Sequence, residues 1–122
     1  MSQHPIVHIE IAAKDREAAS KFYSEIFGWK VQQLPEMNYA TFEAEGGPGG
    51  GFNPVENNQP APVMVYIHTD EIDATSKRIQ ELGGKILRPK DDVPGMGQFV
   101  FFSDPSGNPL ALWQPVMAPP GD

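Results

Sequence analysis

The stretch "IVHIEIAAKDREAASKFYSEIFGW", residues 6–29, decides how the chain is to be read. Successive side chains of a strand point to opposite faces, so Val7, Ile9 and Ile11 form one side of a strand and His8 and Glu10 the other. The β-branched side belongs to a core. The His/Glu side is either wet or lines a site. Asp15 is a good helix N-cap. After it, Ala19, Phe22, Tyr23, Ile26 and Phe27 recur at spacings of three and four, which predicts one apolar helical stripe ended by Gly28.

Three short strands are expected next, at 29–33, 38–44 and a stub at 51–53, separated by turn-forming residues. The second half repeats the order. The strand "VMVYIHT" (63–69) is followed by the helix "EIDATSKRIQELGG" (71–84), with Ile72, Thr75, Ile79 and Leu82 as its buried stripe. Strands follow near 85–87, 98–103 and 109–114. A shift that lays His8 on Met64 also lays Ile9 on Val65, Ile11 on Ile67, Asp15 on Glu71, Ile26 on Leu82 and Gly28 on Gly84. A βαβββ unit is used twice, and the Pro/Gly-rich segment 53–62 links the copies. The modules are therefore 5–54 and 63–114 of a single domain over 5–114, with a Pro/Gly-rich tail at 115–122.

The 122 residues suffice for one domain that buries a core without staples. Cysteine is absent, which excludes disulfides, thiolate metal sites and a thiol nucleophile. Nine Lys and Arg against 16 Asp and Glu give a formal charge of −7, which repels a phosphate backbone and speaks against nucleic-acid binding. The same balance favours solubility and would suit a cationic ligand. "MSQHPIV" at the start has no basic region leading into an apolar run, and no stretch is long enough to cross a bilayer. A cytoplasmic protein with no membrane partner is expected.

With "HIEIAAKDREAASKFYSEIFGW", "DEIDATSKRIQELGGKIL" and "FVFFSDPSGNPLALWQ" in this order, the chain resembles the vicinal oxygen chelate superfamily, the glyoxalase, bleomycin-resistance and extradiol-dioxygenase group, over roughly residues 6–114. The resemblance implies an α+β fold of two βαβββ modules in tandem, mixed curled sheets enclosing a cavity with one helix packed outside each. It also implies a homodimer. In metal-dependent members four ligands, commonly His and Glu, point inward from the first and last strands of each module and leave open positions for a substrate with adjacent oxygens. Carried over, the pattern falls on His8, Met64, the stretch "GGFN" (50–53) and Ala111. Met, Gly or Phe, and Ala cannot replace imidazole and carboxylate, so the usual metal centre is expected to be lost.

The family fold makes the His8 face the cavity face, with Met64, Tyr66, Phe52 and Trp113 as expected ligand contacts. No cofactor is expected. The alternative is a divalent ion (Zn, Ni, Mn or Fe) at a rebuilt site of His8, Glu10 and His68. His8 and Glu10 could instead act as an acid–base pair. Trp29, Tyr39, Phe99 and Phe101 are read as packing. "GGPGGG" (46–51) reads as a flexible hairpin link, and "PKDDVPGMGQF" (89–99) as a surface loop between strands, with a lid as the alternative. The expected function is binding of a small cationic or aromatic molecule in the cavity. The alternative is a lyase, isomerase or dioxygenase-type enzyme. Whether catalysis occurs is left open by the sequence.

Overall fold

The computed structural model describes residues 4–56 and 59–116. Residues 1–3 of the N-terminal stretch, 57–58 of the link and 117–122 of the tail lie outside the described part. The class is mixed α+β, with the element order β1 (Ile6–Ala13), α1 (Arg16–Phe27), β2 (Lys30–Leu34), a 3-10 turn (Pro35–Met37), β3 (Tyr39–Glu43) and β4 (Gly49–Pro54), then β5 (Val63–His68), α2 (Ile72–Glu81), β6 (Lys85–Val93), β7 (Gly97–Ser103) and β8 (Pro109–Pro115). Both βαβββ repeats are present. The chain forms two compact units, 6–66 and 67–122 with 1–5, so the division falls inside β5.

In the first unit the strands run in the order β2-β3-β4-β1. β1 pairs parallel with β4, and the other pairs are antiparallel. Two of the three residues predicted for the core side of β1 take it: Ile9 and Ile11 pack against a cluster of Ala13, Ala40, Phe42 and Phe52 beneath α1, whereas Val7, near the start of the strand, is exposed. An aromatic stack fills it. Trp29 stacks on Phe42 with ring centres 4.5 Å apart and on Tyr23 at 5.1 Å, its plane nearly parallel to each, and Phe52 closes the group at 5.1 Å from Phe42 and 5.5 Å from Tyr23.

Helix α1 starts as its sequence dictates. The Asp15 carboxylate accepts the Ala18 N–H at 3.0 Å, and Gly28 closes the helix in the left-handed region with its N–H on the Ser24 carbonyl. Its inward face is narrower than the predicted stripe. Ala19, Ser20 and Tyr23 point in, whereas Phe22, Ile26 and Phe27 are more than half exposed. The helix turns 100° per residue, so a face centred between Ser20 and Tyr23 leaves Ile26 about 90° away on its rim and Phe22 about 130° away on the outer side.

The second unit uses aliphatic packing. Ile72, Val100, Phe102 and Leu112 form its core, with Ile67, Ile79, Ile86 and Leu110 against them. Leu82, predicted as part of the α2 stripe, is exposed because it is the C-cap residue, where the helix has already ended. β7 pairs antiparallel with β6 and β8, and Thr69, just past β5, donates its N–H to the Trp113 carbonyl of β8. β6 is longer than expected. Lys85–Val93 is strand throughout, including most of the presumed loop, because two register shifts accommodate Pro89 on an edge strand that has no partner on one side. The hairpin tip that remains is 94–96, and a lid of the predicted length is not present.

Candidate functional site

On the side of β1 away from α1, His8 and Glu10 converge on one hydroxyl. Tyr39, at the start of β3, donates its O–H to the Glu10 carboxylate, with oxygens at 2.9 and 3.0 Å. His8 Nε2 lies 3.1 Å from the same hydroxyl oxygen and 3.2 Å from Glu10 Oε1. Glu10 is buried, at 8% exposure, and a buried carboxylate is tolerated only when such donors surround it. The His8 side chain is 31% exposed, so it is the member of the trio that meets solvent. Tyr66 of β5 stands edge-on to the imidazole, ring centres 5.4 Å apart.

The local sequence explains why Tyr39 can reach. Pro35 starts the 3-10 turn, and Asn38 ends it at φ 51, a left-handed conformation that Asn tolerates, before the chain enters β3. Ala40 and Phe42 then point into the core, which places Tyr39 and Thr41 on the His8 side. Thr41 is opposite Gly51, and Gly51 is beside Glu10. The Tyr39 ring leans diagonally across Gly51, where any Cβ would collide with its hydroxyl. The last three glycines of "GGPGGG" are thus strand residues rather than a link.

Burial drives the Tyr39 hydroxyl well above the ordinary phenol range, reinforced by the Glu10 charge, the hydrogen bond to Glu10 and nearby Tyr66. It stays a neutral donor at every physiological pH.

The other expected contacts are distributed differently. Tyr66 joins the cluster. Met64 is fully buried, and Trp113 is half-buried on β8 of the second unit, opposite Phe99. Phe52 is a correction: it has no exposed surface and stacks in the aromatic core on the α1 side, so it does not face a ligand. Its neighbour Gly51 occupies the His8 face, and strand alternation sends Phe52 the other way.

Of the four positions to which the resemblance assigns metal ligands, His8 alone carries one. The stretch 50–53 has neither imidazole nor carboxylate, with Gly51 beside Glu10 and Asn53 beside Ala12, and Met64 and Ala111 are buried and non-ligating toward hard cations. The rebuilt trio does not assemble either. His68 Nε2 lies 3.2 Å from Asp70 in the second unit, and among the described residues no group of three or more His, Asp or Glu side chains is placed to hold an ion. The residues present do not fit the family's metal centre. A cleft of about 380 Å³ lined by Asp92, Val93, Pro94, Gln98, Gln114 and Val116 lies in the second unit, and its polar side chains are already engaged, Gln98 donating to Asp92 and Gln114 accepting the Ile72 N–H. Convergent polar chemistry, which marks a binding site more surely than volume, is at His8.

Comparison with known proteins gives one family. The model of the Glyoxalase/Bleomycin resistance protein/Dioxygenase superfamily matches residues 5–112. A glyoxylase-like domain-containing protein of Didymella fabae is 37% identical, with 85% of this chain and 88% of that protein covered. The anthracycline biosynthesis protein DnrV of Streptomyces peucetius is 28% identical over 86% of this chain, which spans only 45% of that protein's length. Among solved structures, the hypothetical protein BH1468 of Bacillus halodurans superposes with a TM-score of 0.71 at 17% identity, covering 95% of this chain and 97% of that one. Repeated βαβββ units, the His8 strand and these matches agree, and the chain belongs to the glyoxalase/bleomycin-resistance/dioxygenase superfamily.

Proposed function

We propose that the protein binds a small aromatic or cationic molecule at the His8–Tyr39–Glu10 cluster without a family-type metal centre. The observation that carries this reading is Tyr39 lying across Gly51. A neutral hydroxyl lies over the residue of the 50–53 stretch that sits beside Glu10, and it bonds both Glu10 oxygens. The half-exposed Tyr66 ring and the chain's net charge of −7 suit an aromatic or cationic ligand. A relative named for anthracycline biosynthesis is in keeping with an aromatic one.

A second reading, acid–base catalysis by His8 and Glu10, is favoured by their 3.2 Å contact, because a carboxylate beside an imidazole supports proton transfer. A cytoplasmic homodimer completes the proposal, supported by the family's usual assembly. Among the described residues no helix is long and apolar enough to cross a membrane.

Thermal-shift measurement tests the binding reading. Planar aromatic amines are expected to raise the melting temperature of the wild-type chain and not of His8→Ala, with Ni, Co, Mn, Fe and Zn giving no stoichiometric uptake. A metal bound at one equivalent and lost in His8→Ala would overturn it.

A further inference from the structure

On its α2 side, the sheet of the second unit ends in a polar row. Val100, Phe102 and Leu112 face the helix, and strand alternation puts Gln98 and Gln114 on the same side, level with the start of α2. Register sets Asp92 beside Gln98 and Gln98 beside Gln114, so three side chains from β6, β7 and β8 stand in one line across the sheet. They line the cleft of about 380 Å³ together with Val93, Pro94, Pro115 and Val116. Small-molecule sites span about 300–1,000 Å³, so the size admits one small ring with its substituent. Each glutamine of the row is fixed at one end and free at the other. The Ile72 N–H needs an oxygen, so Gln114 turns Oε1 to it at 2.8 Å and keeps its Nε2 hydrogens. Gln98 donates from Nε2 to Asp92 Oδ1 at 2.9 Å and keeps Oε1. Among the described residues neither Gln98 Oε1 nor Gln114 Nε2 has a partner, and the side-chain atom buried without one is Ser76 Oγ, so both are reached by solvent. A free acceptor and a free donor thus stand on neighbouring strands, on side chains whose Cβ atoms are about 4.5–5.5 Å apart.

We propose that this cleft is a second binding site, made of other residues than the His8 cluster, and that it takes a primary carboxamide carried on a flat ring. The ligand carbonyl accepts from Gln114 Nε2, its N–H donates to Gln98 Oε1, and the ring lies against Val93, Pro94, Pro115 and Val116. The helix cap does the selecting. Because the Ile72 N–H holds Oε1, Gln114 has only N–H to offer the cleft, and its amide cannot turn over to suit a ligand donor. A ketone of the same shape supplies the carbonyl but has no N–H for Gln98, and its methyl group would leave Oε1 facing carbon. The proposal stands apart from the function assigned to His8 and survives or fails without it.

The test uses benzamide as probe and acetophenone, with a methyl group in place of the amide nitrogen, as its partner. Both are titrated into the full chain and followed by backbone amide NMR shifts. Benzamide is expected to move Gln98, Gln114 and Val116 in a saturable way. Acetophenone is expected to bind about two- to tenfold more weakly, the effect of one lost hydrogen bond. Gln114→Glu keeps an oxygen for the Ile72 N–H and removes the donor that the ligand carbonyl needs. It should hold its melting temperature and weaken benzamide by about the same factor. Gln98→Met leaves the helix cap alone, removes the acceptor and serves if Gln114→Glu fails to fold; in it, benzamide should bind no better than acetophenone. Equal binding of the two probes to the wild-type chain, undiminished benzamide binding in the variants, or no saturable shift at these residues overturns this inference. Shifts confined to His8, Tyr39 and Tyr66 overturn it as well and leave the binding reading of that cluster standing.

Discussion

The two units share a plan and differ in what fills it. The first has a core of stacked aromatics, Tyr23, Trp29, Phe42 and Phe52, and a polar trio on the other side of its sheet. The second has an aliphatic core around Ile72, Val100 and Leu112, and its far side shows Phe99, Phe101, Ala111 and Trp113 with the paired Arg88 and Asp91 of β6 beside them, the Arg88 guanidinium 5.1 Å from the Phe99 ring. Their helices differ likewise. α1 is capped by Asp15, three residues from the N–H it serves, whereas α2 has no side-chain cap from Glu71 and takes its cap from Gln114 Oε1, which accepts the Ile72 N–H at 2.8 Å from a strand 42 positions along the chain. The first unit is specified locally and carries the His8–Tyr39–Glu10 cluster. The second is specified by its tertiary contacts.

The largest break in that comparison should come from the aromatic core. Phe52→Ala is expected to cost about 3–5 kcal/mol in urea unfolding, against about 2–5 kcal/mol for Leu112→Ala in the aliphatic one. A loss of ligand binding in Phe52→Ala well beyond that in Leu112→Ala, at matched stability, would return Phe52 to the site. Next comes Gly51→Ala, which drives a methyl into Tyr39. A loss of about 1–3 kcal/mol from overpacking is expected, together with loss of the Tyr39–Glu10 bond. Restoration of stability in Gly51→Ala/Tyr39→Phe would show how much of the cost lies at the hydroxyl, and a fully wild-type Gly51→Ala would contradict the geometry.

Removing the local cap by Asp15→Ala should cost about 1 kcal/mol. Hydrogen exchange is expected to quicken in the first turn of α1 and leave α2 unchanged. The smallest effects are in the pH profile. Tyr39 is held above its ordinary 10.0, so its contribution is complete below that pH and drains as pH rises past it, when the unfolded chain gives up the proton that the folded chain keeps. Tyr39→Phe should flatten this alkaline limb. Asp104 runs the other way. Bonds from the Asn108 side chain and backbone, then from Ser106, hold it below its ordinary 3.8, so stability is present above that value and is lost as pH falls through the lower folded one. Asp104→Ala should shorten the acid limb, measured as melting temperature against pH.

The repeated plan was legible in the sequence because alternation in β1 and β5 and the three-four spacing in the helices each report a buried face directly. β4 was not. Gly49, Gly50 and Gly51 have no side chains whose alternation could be phased, and Phe52 was set on the wrong face for that reason. β6 was hidden by Pro89 and two aspartates, residues that argue against a strand unless it is a bulged edge. Tyr39 was readable in part: with Ala40 and Phe42 marking the core side of β3, the tyrosine has to share the face of Thr41. What the residues alone could not supply was the register that brings Thr41 to Gly51 and Gly51 to Glu10.

The crossing of Tyr39 over Gly51 also turns two letters into a diagnostic. A side chain at 51 and a tyrosine at 39 claim the same volume, so a relative can hold one or the other. Chains with glycine and tyrosine at the aligned positions should have the closed hydroxyl arrangement, and those with a carboxylate in place of the glycine should have a smaller residue facing it. The pair therefore identifies chains with the closed hydroxyl arrangement by reading, before any protein is made.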